Sequence, residues 1–287
     1  MKKVYFAPNW GLTSKQMVSD YINQTPGCRG VWNNIAVTDD VKEADYLIIQ
    51  DNCDYNLLSM FDKNKRLYFS REALDSHSIN SYPSNDVKRF SYWDGTGLLW
   101  TKWWYPSKSS GGINKTYDEL IDEKPINKTK YLSCIQSDKS HQWGHRLRHN
   151  FLRDFVNTAD YLDLYGSIRY SNKVLEDNDK CSGLDDYRYT LAFDNQNTIK
   201  DFFGTQFTDA ILRWTVPIYW GGADLGKYFP EGSYIELDIE SDNEIERITR
   251  LIEEDDYNSR LNAIGEARKL ILNEYNMWPI IEKVIEE

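Results

Sequence analysis

Cysteine is scarce and scattered. Cys28, Cys53, Cys134 and Cys181 form no Cys-x-x-Cys pair, which excludes a zinc finger or a disulfide scaffold and leaves four reduced thiols as the expectation. No apolar run approaches the roughly 18 residues that a membrane span needs. Met1-Lys2-Lys3 leads straight into a strand-like stretch, not into the apolar core of a signal peptide, so a cytoplasmic protein with no membrane span is expected. Positive charge is also short. Lys and Arg number 34 against 45 acids, a net charge of −11, and no basic stripe is present. Nucleic acid is therefore not expected as a partner, because affinity for a phosphate backbone rests on basic residues. The chain has no Gly-x-x-x-x-Gly-Lys-Ser/Thr loop, no Gly-x-Gly-x-x-Gly fingerprint and no Gly-x-Ser-x-Gly elbow. Those absences disfavour an NTPase, a dehydrogenase and an α/β-hydrolase.

What is present is a large aromatic and apolar content, with 10 Trp, 20 Tyr, 11 Phe and 40% apolar residues in a chain of 287. That is enough to build a core and long enough for two medium domains. Lys3–Ala7, Tyr46–Gln50, Arg66–Phe69 and Val87–Trp93 read as strands, with Ser14 as the N-cap of a helix reaching Gln24. The polar stretch Ser107–Lys130, with Ser-Ser-Gly-Gly and Pro125, reads as a linker or long connection. The alternation then restarts. Strands are expected at Tyr131–Ile135, Tyr161–Tyr165, Tyr189–Phe193 and Val216–Tyr219. Helices are expected at His145–Val156, Phe207–Trp214, Asn243–Glu254 and Tyr257–Tyr275, with a short one after Pro279. Short strands spaced by helices predict β-α-β units on parallel sheets. The expected division is an N-terminal domain over 1–126 and a C-terminal domain over 127–287, with the last helix packing back on the first.

The most informative segment runs from Tyr189 to Ile235. One strand ends in Asp194-Asn195, a helix begins near Gly204-Thr205, and the next strand ends in Tyr219-Trp220-Gly221-Gly222. Open α/β sheets bind ligands outside the carboxyl ends of their strands, and the amides of a helix N-terminus favour a phosphate there. Asp194, Asn195, Tyr219 and Gly221 are thus candidate ligand-binding positions, glycine allowing the backbone to approach closely. His141, His145 and His149 fall at i, i+4 and i+8, a spacing that would align three imidazoles. His141, however, lies in the Ser-Asp-Lys-Ser loop before the expected helix start, and no carboxylate or cysteine sits at ligand spacing, so phosphate-facing or surface histidines, and no metal, are expected. Asp51-x-x-Asp54 and Asp238-x-Glu240 read as surface pairs. Trp93, Trp100, Trp103, Trp104 and Tyr105 form an aromatic cluster that fits either sugar stacking or core packing.

Phe193-Asp194-Asn195, Thr208-Asp209-Ala210, Thr215 to Gly221, Tyr228-Phe229-Pro230 and Ser233-Tyr234-Ile235 together resemble the signature of the family-ten glycosyltransferases, the α-1,3/1,4-fucosyltransferases and their relatives. Ser133 to Phe151, followed by Asp163-Leu164-Tyr165-Gly166, is similar to a second region of that family. Residues 1–125 match only in outline. The resemblance implies an α/β protein of GT-B architecture, with two facing Rossmann-like domains built on parallel sheets. The nucleotide-sugar would lie on the C-terminal domain and the acceptor mostly on the N-terminal one. It implies an inverting transfer without metal or cofactor, the nucleotide-sugar being a substrate, GDP-fucose or a UDP-sugar. The acceptor would be an oligosaccharide or glycoprotein.

By position, Arg148 corresponds to the family arginine that contacts the donor diphosphate, with Arg146 as the alternative one turn away. Asn195 and Phe202 fall where the family binds the nucleoside. One departure stands out: the family's Thr-Glu-Lys falls on Gly204-Thr205-Gln206. Glutamine in place of a lysine beside a diphosphate removes a charge-assisted contact worth about 1.5–3 kcal/mol, which Arg146, Arg148 or Lys200 would have to offset. The general base that an inverting transfer needs is expected on the N-terminal domain, Glu72 first and Asp94 second. Trp93, Trp103 and Trp104 are the acceptor-side candidates. The resemblance leads to L-fucose transfer, with a different donor or a non-catalytic glycan-binding protein as the alternatives. The family's eukaryotic members carry a membrane anchor, so a bacterial, phage or viral enzyme of glycan biosynthesis or protein glycosylation is expected.

Overall fold

A short apolar run closed at both ends by polar turns becomes a strand, and in both halves of this chain such runs stack in parallel. The computed structural model describes residues 1–9, 11–50, 52–69, 112–198, 201–222 and 224–286, together with the strand backbone at 88–90. The chain divides into two compact units. Met1–Pro106, Lys115–Asp122 and Asn273–Glu287 make the first, and Ser107–Asn114 and Glu123–Leu272 make the second.

The sheet of the first unit contains β1 (Lys2–Phe6), β2 (Val31–Trp32), β3 (Ile35–Val37), β4 (Tyr46–Gln50), β5 (Arg66–Phe69) and β6 (Lys88–Phe90). Their order is β2-β3-β1-β4-β5-β6. Every pairing is parallel except the β2–β3 hairpin, which closes on Asn33-Asn34. All five residues of β4 are buried, as expected of a central parallel strand covered on both faces. Helix α1 (Ser14–Tyr21) is capped by Thr13, not by Ser14. Thr13 Oγ1 accepts from the Gln16 amide while the Gln16 side chain returns to the Thr13 amide, a reciprocal cap that Ser14 is one residue too late to make. The expected last turn tightens into a 3-10 segment over Ile22–Gln24. Asp54 caps α2 (Tyr55–Ser59). The polar connection holds a helix, α3 (Tyr117–Ile121), announced by the Thr116-x-x-Glu119 capping box that its composition obscured. The final helix, α8 (Met277–Glu286), belongs to the first unit. Its Trp278 is fully buried, edge-on to Phe6 at 5.9 Å, and Nε1 donates to the Tyr21 carbonyl at 3.2 Å.

The second unit is built on β7 (Lys130–Ile135), β8 (Leu162–Tyr165), β9 (Tyr187–Phe193), β10 (Val216–Trp220) and β11 (Ile235–Glu236). They pair in the order β11-β10-β9-β7-β8, parallel throughout. Helices α4 (Trp143–Thr158), α5 (Thr205–Leu212), α6 (Glu244–Glu254) and α7 (Tyr257–Asn273) accompany the sheet. Leu132, Leu152, Phe155, Leu191, Phe193, Val216 and Ile218 are at the centre of its core. Chain order reverses between β7 and β9, since β8 lies to one side of β7 and all later strands to the other. At such a switch point the connections diverge and leave a crevice outside the strand ends. Gln136, Asp194 and Asn195 open the loops there.

Candidate functional site

The loop after β7 starts with Gln136, 1% exposed, and the loop after β9 starts with Asp194 and Asn195. Two glycines let these loops close on their neighbours. Gly166 has φ +104°, and a Cβ there would sit 2.2 Å from the Gln136 carbonyl oxygen. Gly144, in the first turn of α4, lies so near the Asn195 backbone that a Cβ would meet its carbonyl oxygen at 2.0 Å. Gly144→Ala therefore drives the helix off the β9 loop. We expect a stability loss of about 1–3 kcal/mol, the range for overpacking a tight site, read from urea denaturation against wild type.

Arg148 is 3% exposed, one turn further along α4, and donates from Nη1 to Asn195 Oδ1 at 3.3 Å. A guanidinium can only donate, so the Gln136 atom facing it is oxygen. That oxygen accepts from Nη1 at 3.1 Å and Nη2 at 3.0 Å. No carboxylate pairs with Arg148 among the described residues. Burial pushes its pKa down to about 10 against the opposing pull of Cys134 and Asp194. His145 adds a second contact to Asn195, with Nε2 2.8 Å from Oδ1 and Nδ1 accepting the Gln142 amide at 3.3 Å. Burial, reinforced by the Arg148 charge, lowers the His145 pKa to about 4.

The Asp194 carboxylate holds the start of α5. Its Oδ2 accepts the Gly204 amide at 3.0 Å and a short hydrogen bond from the Tyr219 hydroxyl. Side chains at 204 or 221 would collide with this cluster: a Cβ on Gly204 would lie 2.1 Å from Asp194 Oδ1, and one on Gly221 would lie 2.1 Å from the Tyr219 hydroxyl. Burial and the neighbouring carboxylate push the Tyr219 phenol well above its usual range, which keeps it a donor. In α5, Gln206 Oε1 accepts the Phe193 amide at 3.0 Å, and its side-chain amide lies 3.0 Å from that of Gln136.

These elements fall inside one matched segment. Residues 126–259 match the family described as Glycosyltransferase family 10 (fucosyltransferase) C-terminal. That match is confined to the C-terminal part of the chain. A curated relative, glycoprotein 3-alpha-L-fucosyltransferase A of Drosophila melanogaster, is 30% identical over 142 residues, 47% of this chain and 27% of the fly protein. The chain thus spans about a quarter of that relative's length. A crystal structure of an α1,3-fucosyltransferase superposes with a TM-score of 0.59 at 17% identity, covering 100% of this chain and 90% of that one. A crystal structure of an α1,3-fucosyltransferase with GDP-fucose gives 0.52 at 16%, with the same coverage. The DNA-modifying enzyme β-glucosyltransferase gives 0.54 at 11%, covering 100% of both chains. Identities this low speak for the fold, and the two parallel-sheet α/β units are a GT-B architecture.

Within the matched segment, the anticipated residues fall into distinct settings. Arg148, Asn195 and Gln206 meet at the switch point, and Asp194, Tyr219 and Gly221 form the adjoining cluster. Thr205 opens α5 and is half-buried, while Phe202 is 3% exposed. Arg146 is on the exposed side of α4, with Nη1 donating to the His141 carbonyl at 3.3 Å. His141 precedes α4, and His145 is 1% exposed, neither a surface residue nor an open ligand. The loop position expected of His141 holds, because Gln142 is the N-cap of the helix. Among the described residues no cluster of three metal-ligating side chains occurs. Gln136 was not anticipated as a member of the site, and His145 only as one of the phosphate-facing or surface histidines. The i, i+3 spacing of His145 and Arg148 was the one available signal. A cavity of about 420 Å³ opens beside Tyr219, Trp220 and Gly221, with Asp224, Glu236 and Asp238 on its walls and no basic residue among those lining it. Such a wall suits hydroxyl and N–H donors better than phosphate. Glu72, Asp94, Trp93, Trp100, Trp103, Trp104, Tyr105 and Lys200 lie outside the described residues.

Proposed function

We propose that the chain is a glycosyltransferase that moves one sugar, L-fucose first among the options, from a nucleoside diphosphate donor to a hydroxyl of a glycan. Transfer proceeds with inversion and without a metal. The observation that carries this reading is the gathering of Arg148, Gln136 and Asn195 at the switch point of the matched segment. A buried cation without a carboxylate partner is set where an α/β sheet receives its ligand. A bound diphosphate offsets the desolvation of that cation. Glu72 and Asp94 remain the candidates for the base that takes the acceptor proton, and Trp93, Trp103 and Trp104 for the acceptor face.

One observation favours a second donor. Gln206 holds the position of the family lysine but is turned into the unit, bonded to the Phe193 amide and set against Gln136. Without a lysine there, the preference for GDP-fucose weakens, and UDP-xylose or a UDP-hexose becomes the alternative.

Calorimetric and thermal-shift titration with GDP, UDP, GDP-fucose, UDP-xylose and UDP-glucose, each with and without EDTA, separates the readings. A ligand at 100 times its Kd should add about 2.7 kcal/mol of stability. Selective guanosine binding, unchanged by EDTA, is the expected result. Selective uridine binding moves the assignment to the second donor. Loss of binding in EDTA refutes the metal-free reading, and binding of none at millimolar ligand refutes the transferase reading.

A further inference from the structure

Asn195 is gripped by one stretch of α4 from three directions. Gly144 admits its carbonyl against the helix backbone, and His145 and Arg148 both reach its side-chain oxygen. We propose that His145 is a positioning residue: it fixes the Asn195 side chain so that its NH2 edge faces an acceptor oxygen of the nucleoside diphosphate. The inference rests on the function proposed above and assigns the residue that orients part of that site.

The hydrogen-bond roles follow from one fixed point. Arg148 is donor-only, so the Asn195 atom 3.3 Å from its Nη1 is oxygen. The same oxygen lies 2.8 Å from His145 Nε2, which must therefore carry the hydrogen. Nδ1 is then bare, as its acceptance of the Gln142 amide at 3.3 Å requires. The imidazole is held neutral in a single tautomer, because each ring nitrogen has a partner that tolerates only one role. Protonating Nδ1 would set two donors against each other at Gln142. The charges around the ring, Arg148 on its own helix and Lys139 and His141 on the preceding loop, oppose that protonation too.

The two donors occupy both lone pairs of Asn195 Oδ1 and define which way the amide faces. Its Nδ2 has no acceptor among the described residues, on a side chain only partly buried. A fixed NH2 beside the buried Arg148 offers neutral donors to the anion that the guanidinium attracts. Freed from His145, the amide could rotate, and binding would then bear the cost of ordering it.

Three variants test the assignment in the full chain. His145→Leu deletes the donor, His145→Gln restores an N–H at similar reach, and Asn195→Asp keeps an acceptor for His145 and Arg148 while deleting the NH2. The expected result for His145→Leu is a donor KM raised about tenfold, the worth of one hydrogen bond, with kcat within about twofold. His145→Gln should recover most of that loss. Asn195→Asp should melt no lower than wild type yet lose about tenfold in donor affinity. Equal KM values for the Leu and Gln variants, or an Asn195→Asp variant that binds the donor as wild type does, overturn the proposal.

A long-range 15N–1H spectrum of the unliganded protein gives a second, activity-free readout. The Nε2–H tautomer, unchanged down to about pH 5, is expected. An Nδ1–H tautomer, or titration near pH 6.5, refutes the network whatever the protein binds. If the tautomer is as expected but no nucleoside diphosphate binds, the functional reading has failed and the positioning role falls with it.

Discussion

Replacing Arg148 with methionine should weaken binding of the nucleotide donor by about a hundredfold or more while leaving the unliganded protein as stable as wild type, or more so. The two halves of this result have one cause. Arg148 is 3% exposed, and its contacts are neutral oxygens of Asn195 and Gln136. A buried cation without a carboxylate carries a desolvation cost that those dipoles offset only in part, as its lowered pKa of about 10 reflects. Methionine fills similar space and removes the cost. The same charge in a low-dielectric setting attracts an anion strongly, and losing a charge-assisted contact of about 3 kcal/mol corresponds to the stated hundredfold. Arg148→Lys should fall between the two, since a single ammonium cannot fork to both Asn195 and Gln136. Calorimetric titration with the nucleoside diphosphate, beside urea denaturation of each variant, reads both quantities. Unweakened binding in the methionine variant would refute the anion role. A loss of stability matching the loss of affinity would reduce Arg148 to a structural residue.

That opposition between stability and binding also explains what could be read from the sequence. The strands of the second unit announce themselves as compact apolar runs, and the polar pair Asp194-Asn195 directly after one of them marks a strand's carboxyl end. Family resemblance then singled out Arg148 and the Gln206 departure. The network that joins them was not legible. Gln136 is one polar residue after a strand, a pattern shared by most α/β loops, and it matters here only because β7 and β9 are neighbours in the sheet. That adjacency is a property of strand order, which periodicity does not carry. His145 is legible only as a histidine that is phosphate-facing or on the surface; that His141 precedes the helix is legible too and holds, since α4 begins at Trp143. Edge elements were lost for a simpler reason. β2 and β11 have two residues each, too few for any alternation to register. Gly144 and Gly204 carried a different kind of information. Each marks a place where backbone or a carboxylate comes within about 2 Å of a missing Cβ, a constraint invisible until the fold supplies the neighbour.

The second unit should become more stable as the pH rises from 7 to 9, against the usual trend for an acidic protein, and Lys128 is the reason. Its side chain is 5% exposed, and Nζ donates to the carbonyls of Leu184 and Arg213 at 2.9 and 2.7 Å and to Thr215 Oγ1 at 2.9 Å. Burial pushes its pKa down to about 7, with Asp185, Glu123 and Asp186 opposing and Arg213 assisting. The nearby carboxylates are already engaged: Arg213 takes Asp185 at 2.7 Å and Glu123 at 2.8 Å. In the unfolded chain a lysine titrates near 10.4. Between those two values the unfolded state holds the proton and the folded state has released it, so the unfolded state binds more protons. Stability must then rise with pH, by up to about 1.4 kcal/mol per unit. Below pH 7 both states are charged, and the folded one bears the full cost of burying the ammonium.

Lys128→Met removes the titrating group and with it this slope. Urea denaturation of wild type and variant at pH 7, 8 and 9, at constant ionic strength, isolates the contribution as a difference, which cancels other titrations common to both. The difference should shift in favour of wild type by about 2–3 kcal/mol across that window. A difference that stays constant with pH would mean that the three acceptors hold the ammonium as well as water does. In that case Lys128 is a charged tripod joining the loop before β7 to the carbonyls of Leu184 and Arg213, and its loss should cost the same at every pH.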